Sequence, residues 1–323
     1  MRHVFLINPV SDTKMASSLE QAILQNRSDD APLILEKMAF VGHGAELAKS
    51  YARKYGRDVT IYACGGDGTV NEIANALVGT EAVLGVVPMG TGNDFVRSFL
   101  STDLRKDPTR IPSLCTKAVP QPLDLMHVSV YSKEEAEKQD GKPEWETYCV
   151  NIMAFGLDSA VNRTAKRMVS ASRKNSKVRK IAYNLATLIN VIKGWEYAMQ
   201  YSFTLSTGEQ ISKSLSYVLV AVCNGSYYGG GFCPSPEAKL HDGLLDICLV
   251  EDIPLRKAIP LVGKYKKGTH SPHPNIREYH VTDGILRVQG KKPLMEGNVD
   301  GEDFSGYEIR FKIHPSALSL AVL

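Results

Sequence analysis

The chain has 323 residues, 43% of them hydrophobic and 23% charged, with a formal net charge of +3. That is ordinary globular composition, long enough for two domains, and too weakly basic to require nucleic acid as a partner. No apolar run approaches the ~20 residues that would span a bilayer. Six scattered cysteines without a CxxC pair read as reduced, buried thiols of a cytoplasmic protein. "MRHVFLINP" is too short in its apolar part for a signal peptide and reads as a first strand.

The first third alternates strand and helix. Strands are expected at 3–9, 33–38, 58–64 and 82–88, and helices at 15–25, 43–56, 70–79 and 93–100. This order predicts a parallel sheet with helices on both faces. After about residue 123, strand-like segments separated by turn residues predict a mainly antiparallel sandwich. They include "LDLMHVSVY", "ETYCVNIMAFG", "YAMQYSFTLS", "SYVLVAVCNG", "GLLDICLVED", "HVTDGILRVQG" and "GYEIRFKIHP". Val178, Ile181, Ala182, Leu185, Leu188, Ile189 and Ile192 share one helical face, so a helical insertion interrupts the sandwich. The domain division expected is 1–123 for an α/β nucleotide-binding domain and 124–314 for a β-rich substrate domain, with residues 315–323 free to return to the first.

Loops at the carboxyl edge of a parallel sheet are where ligands bind. Three of them have unusual composition: Asn8-Pro9-Val10-Ser11, then Gly65-Gly66-Asp67-Gly68-Thr69, then Gly90-Thr91-Gly92-Asn93-Asp94. Glycines let a polyanion approach the backbone and supply positive φ, and a helix N-terminus behind them adds unpaired N–H groups. Thr69 can cap the helix or bond a phosphate oxygen. Asp67 beside a phosphate needs a cation or a hydroxyl between them, so Mg²⁺ or a ribose enters the reading. Each loop alone is as well explained by a tight turn; two glycine-rich helix entrances on one edge favour phosphate. Neither GxxxxGK[ST] nor GxGxxG is present.

"LINPVS", "GGDGTVNEIANAL", "GVVPMGTGNDFVRSF", "CNGSYYGGGFCPSPEAKLHDGLLDICLV" and "MEGNVDGED", in this order, resemble the diacylglycerol kinase catalytic-domain family over nearly the whole chain. GGDG alone is weaker, since NAD kinases carry it. The resemblance implies ATP-dependent phosphorylation of a lipid hydroxyl in a cleft between the domains, diacylglycerol giving phosphatidic acid being the first expectation. It implies catalytic roles for Asp67 and for Glu302 as general base. It implies nucleotide contacts from Asn8, Ser11, Gly65, Gly66, Gly68, Thr69, Gly90, Thr91, Gly92, Asn93, Asp94 and Arg97. Mg²⁺ would lie at Asp67 and Asp300, and a structural Mg²⁺ at Asp242 and the backbone of Leu244. "NPVSDTK" departs from the family's "NPxSGK", displacing the basic residue to Lys14, and His241 replaces an acidic residue.

Two other readings stand beside it: phosphorylation of a soluble dinucleotide in the manner of NAD kinase, and a catalytically silent nucleotide- or lipid-binding module. "NVDGED" also reads as a plain hairpin turn. Arg163, Lys166, Arg167, Arg173, Lys174, Lys177, Arg179 and Lys180 form a basic run that serves either as a solvated face or as peripheral contact with an anionic membrane. The resemblance also allows a homodimer.

Overall fold

The computed structural model describes residues 1–10, 12–28, 32–157, 160, 163, 164, 168, 197–271, 273–290 and 293–323. The helical face expected at 178–192 and the basic run, apart from Arg163, lie outside these residues, as does Ser11.

Apolar runs form the strands of the first domain: β1 (Arg2–Ile7), β2 (Leu33–Lys37), β3 (Val59–Gly65) and β4 (Val83–Pro88). All are parallel, in the order β2-β1-β3-β4. Every residue of β3 and β4 is buried, as a sheet covered on both faces requires. Helices α1 (Thr13–Gln25), α2 (His43–Tyr55) and α3 (Asp67–Leu77) connect them. Because β1 leads outward to β2 and the chain then returns to β3, right-handed crossovers put α1 on one face and α2 and α3 on the other. The direction of winding reverses between β1 and β3, so their carboxyl ends open a crevice there. The loop that sequence places before α1 is closed by Asp12, whose carboxylate accepts from the N–H groups of Lys14 and Met15. Asp12 is thus an N-cap.

The helix expected at 93–100 is a correction. Only a 3₁₀ turn forms, over Phe95–Ser98. The chain there is drawn back by side chains of other elements, described below, and cannot extend a regular α-helix.

The second domain is a mainly antiparallel sandwich. Its strands are β5 (Val119–Tyr131), β6 (Trp145–Cys149), β7 (Ile152–Gly156), β8 (Tyr197–Leu205), β9 (Gln210–Cys223), β10 (Leu245–Glu251), β11 (Ile276–Gln289), β12 (Met295–Val299), β13 (Glu302–Gly306) and β14 (Glu308–Val322). One path runs β13-β12-β7-β9-β10-β11-β14, and β8 pairs with both β9 and β11. Phe155, Phe203, Val222, Leu286 and Phe311 are among the side chains filling the space between the layers. A helix over Leu255–Lys267, unanticipated from sequence because Pro260 interrupts it, buries Ala258, Leu261 and Tyr265 in a third cluster. Pro260 is exposed, so the carbonyl it leaves unpaired can face water.

The long β5–β14 pair joins the domains. Leu125–Tyr131 pair with Glu308–His314 inside the sandwich, and Val119–Leu123 with Leu318–Val322 beyond it. Ser319 and Leu320 then lie parallel to Val83 and Leu84 of β4, making one sheet continuous through both domains. The register shifts between His314 and Leu318, where Ser316 has φ 53°. Buried Asp124 fastens this bulge, accepting from Ser316 N at 2.7 Å and from Gly243 N at 2.7 Å. All six cysteines are buried and unbridged. Among the described residues no helix is long and apolar enough to cross a membrane.

Candidate active site

The β1–β3 crevice continues into a cleft of about 980 Å³ between the domains. The first domain contributes Asn8, Gly66, Asp67, Gly68, Gly90, Thr91 and Gly92, and the second contributes Thr147, Asp300, Gly301 and Glu302. Residues distant in sequence thus converge on one space, large enough for a nucleotide.

None of Gly65, Gly66, Gly68, Gly90 or Gly92 adopts positive φ, which corrects one reason expected for them. Close approach is what they serve. A Cβ on Gly90 would sit 2.5 Å from the Cα of Gly66, so the two loops touch backbone to backbone. A Cβ on Gly65 would lie 2.3 Å from Thr69 Oγ1. Gly68 is exposed with open space around it, in the first turn of α3, where unpaired N–H groups face the cleft. The residue with positive φ in the third loop is Asn93, at 49°. Its side chain closes that loop by accepting from Gly90 N and donating to Gly90 O.

Asp67 holds the 3₁₀ turn in place. Its Oδ1 accepts from Asp94 N at 2.9 Å and Phe95 N at 3.2 Å, while Oδ2 faces Gly92. Asp94 is buried, and its carboxylate reaches across to the second domain, accepting from Gly230 N at 2.7 Å and from Arg97 Nε at 3.1 Å. Burial raises the Asp94 pKa, against the opposing effect of the Gly230 N–H. Arg97 also donates to Gly92 O. Asp94 and Arg97 therefore latch the loop to the second domain, and neither lines the large cleft. Thr69 is buried and its hydroxyl accepts from Asn8 Nδ2 at 3.1 Å, so it ties the first two loops together. Gly65 and Asn93 likewise lie behind the surface of the cleft.

Asp300 and Gly301 form the two-residue turn between β12 and β13, with φ 47° and 96°. That pair of positive φ values is the primed hairpin turn that Asp-Gly favours. The Asp300 carboxylate points inward, accepting from Val150 N at 2.6 Å, Ile152 N at 3.0 Å and Asn151 N at 3.1 Å. These bonds interrupt the segment expected as one strand, "ETYCVNIMAFG", into β6 and β7. Burial pushes the Asp300 carboxyl up to about 6, opposed by those N–H groups. Glu302 follows on the tip, exposed at the cleft.

Sequence reading passed over Asn71, Glu72 and Asn75, which line the same cleft from α3. Asn75 binds β6 as another strand would. Its Nδ2 donates to Tyr148 O at 2.8 Å and its Oδ1 accepts from Tyr148 N at 2.9 Å. Two asparagines four apart within a helix were the available signal, since that residue type disfavours helix interiors without a partner.

Asp242 and Leu244 stand apart, in an exposed turn where Asp242 Oδ1 accepts from Leu244 N. Among the described residues no three His, Cys, Asp or Glu side chains gather as metal ligands. Arg163, the one member of the basic run among the described residues, pairs with Glu296 at 2.6 Å.

Residues 2–128 match the family model of the diacylglycerol kinase catalytic domain, and residues 151–322 match that of the YegS C-terminal NAD kinase beta sandwich-like domain. The chain is 27% identical over 267 residues to a probable lipid kinase YegS-like of Xanthomonas euvesicatoria pv. vesicatoria, covering 81% of this chain and 78% of the relative. It is 27% identical over 266 residues to a diacylglycerol kinase of Mycobacterium tuberculosis, covering 82% and 78%. In fold it is similar to a putative diacylglycerol kinase from Bacillus anthracis, with a TM-score of 0.72 at 20% identity, covering 100% of this chain and 95% of the other. With both halves matched in order and the second match spanning more than half of the sequence, the chain belongs to the diacylglycerol kinase and YegS-like family of lipid kinases.

Proposed function

We propose that this chain transfers the γ-phosphate of ATP, carried with Mg²⁺, to the hydroxyl of diacylglycerol, giving phosphatidic acid. The observation that carries the reading is one cleft lined by Gly66, Asp67 and Gly68 at the start of α3 and by Asp300, Gly301 and Glu302 at a hairpin tip. The α3 N-terminus supplies N–H groups and partial positive charge for the phosphates. Gly90, Thr91 and Gly92 bring a second stretch of backbone to the same face.

Mg²⁺ bound chiefly through phosphate and water needs few protein ligands, and Asp67, beside the start of α3 in the cleft, would hold it. When bound, the ion neutralises charge on the transferring phosphoryl group. Glu302 takes the proton of the lipid hydroxyl as its oxygen bonds to the γ-phosphorus and ADP departs. Asp300 keeps Glu302 in place by anchoring the turn to the β6–β7 junction.

The test is transfer from γ-labelled Mg-ATP into a panel of lipid alcohols in mixed micelles, with NAD as control. Label should appear in diacylglycerol and fall by about a hundredfold or more in Glu302→Gln, the scale of a positioned base. Label in NAD, or none anywhere with ATP still bound, would overturn the reading.

A further inference from the structure

From Ile253 to Arg277 the chain carries six cationic residues, Arg256, Lys257, Lys264, Lys266, Lys267 and Arg277, and no aspartate or glutamate. Over the whole sequence the two signs nearly balance, at 38 against 35, so this is a local excess. Most of it falls in the helix over Leu255–Lys267, which buries Ala258, Leu261 and Tyr265 at i, i+3 and i+7. Lys257, Lys264 and Lys267, at i, i+7 and i+10, form an exposed stripe along it, with Lys266 exposed beside them. Attraction to the helix dipole accounts for cations in the last turn, but Lys257 lies in the first turn, where the same field disfavours it. Ion pairing does not account for them either. Arg277 pairs with Glu251, whereas Lys257, Lys264, Lys266 and Lys267 have no carboxylate partner among the described residues.

We propose that the lysine stripe of the Leu255–Lys267 helix docks on an anionic bilayer and brings one wall of the inter-domain cavity to the membrane surface. The helix is fastened to that wall. The Tyr265 hydroxyl meets that of Tyr228 at 3.1 Å, and Tyr228 lines a space of about 160 Å³ together with Asp67 and Asp300. Lys266 stands over the ring of Phe232 at 5.2 Å, and Phe232 packs with Tyr228 against the cluster that buries the helix. Met168 packs there too, from within the basic run at 163–180. No aspartate or glutamate lies between Asp158 and Glu196, so two acid-free stretches of the chain meet at one apolar cluster. The choice of a bilayer as occupant rests on the lipid kinase reading above. An uncharged lipid alcohol offers lysines no attraction, so the pull comes from the anionic headgroups around it, at roughly fivefold in binding per basic residue.

The test is sedimentation of the full chain, without ATP, with vesicles of dioleoylphosphatidylglycerol in dioleoylphosphatidylcholine and with vesicles of dioleoylphosphatidylcholine alone. The wild type should bind the anionic vesicles, and much less at about 1 M than at about 0.1 M salt. Lys257→Gln, Lys264→Gln and Lys267→Gln combined should weaken that binding by about tenfold or more. A variant with Lys49→Gln, Arg53→Gln and Lys54→Gln, exposed on α2 of the first domain, removes the same charge and should bind as the wild type does. With Mg-ATP, the first variant should lose turnover of vesicle-borne dioleoylglycerol while keeping that of soluble dihexanoylglycerol within about twofold. Wild-type binding that is equal on neutral vesicles, or unchanged in the first variant, overturns the docking face. Equal loss in the α2 variant makes the effect one of net charge and also overturns it. Vesicle binding that depends on the stripe while no lipid is labelled sustains the face and sinks the kinase reading alone.

Discussion

Gly68 separates two demands that a helix start usually merges. It sits in the first turn of α3 with no atom near a prospective Cβ, so alanine fits without a clash and suits the helix better by about 0.5–1 kcal/mol. The methyl would nonetheless occupy the surface proposed to receive phosphate. Gly68→Ala should therefore raise the urea midpoint while weakening ATP binding by about tenfold or more, with calorimetry on the same preparation reading both effects. Asp300 offers a second residue-scale test. Burial lifts its folded pKa to about 6, above the 3.8 ordinary for an aspartate, so the folded state binds this proton more tightly. Its contribution to stability is complete below that lower value and fades as pH rises toward 6. Asp300→Asn replaces one acceptor with a donor facing the backbone N–H groups and should cost about 1–3 kcal/mol. The deficit should narrow between pH 4 and pH 6 in thermal unfolding.

Between elements, the decisive contact is α3 with β6. Asn75 imitates a strand edge, so its loss leaves the N–H and C=O of Tyr148 without that partner. Asn75→Ala should cost about 1–3 kcal/mol in urea unfolding and lower kcat more than it weakens ATP binding, since the nucleotide loops belong to the first domain while Glu302 does not. Much of the element layout was legible in the sequence. The β-α alternation of residues 2–88 could be read because three of the four apolar runs are closed by Pro or Gly and each helix has one apolar face. What escaped had non-local causes. Nothing within "ETYCVNIMAFG" signals a break; the carboxylate that makes it stands 149 residues beyond Asn151. The turn at Phe95–Ser98 is fixed by Asp67 and by Gly230, neither of them adjacent. The motif residues of the cleft were legible, yet their division into those that face it and those that brace it was not. Thr69, Asp94 and Arg97 carry the same sequence signature as Gly68 and Thr91 and point elsewhere.

At the scale of the molecule, two domains share one strand. β14 completes the sandwich along Glu308–His314 and covers β4 with Ser319 and Leu320. Leu320 is buried in the core of the first domain, so Leu320→Ala should cost about 2–5 kcal/mol. Unfolding followed by far-ultraviolet circular dichroism and by tyrosine fluorescence should give coincident transitions, and the substitution should shift both together.

That shared strand also sets an order of events during synthesis. The ribosome delivers β1 to β4 early, whereas the residues that pair with the open side of β4 come only after the entire sandwich has been made. Until then an apolar parallel sheet waits with an unpaired flank, the kind of edge that recruits other chains. The nucleotide-binding half is thus first to be translated and among the last to be finished, and its maturation is tied to the half that would present the lipid.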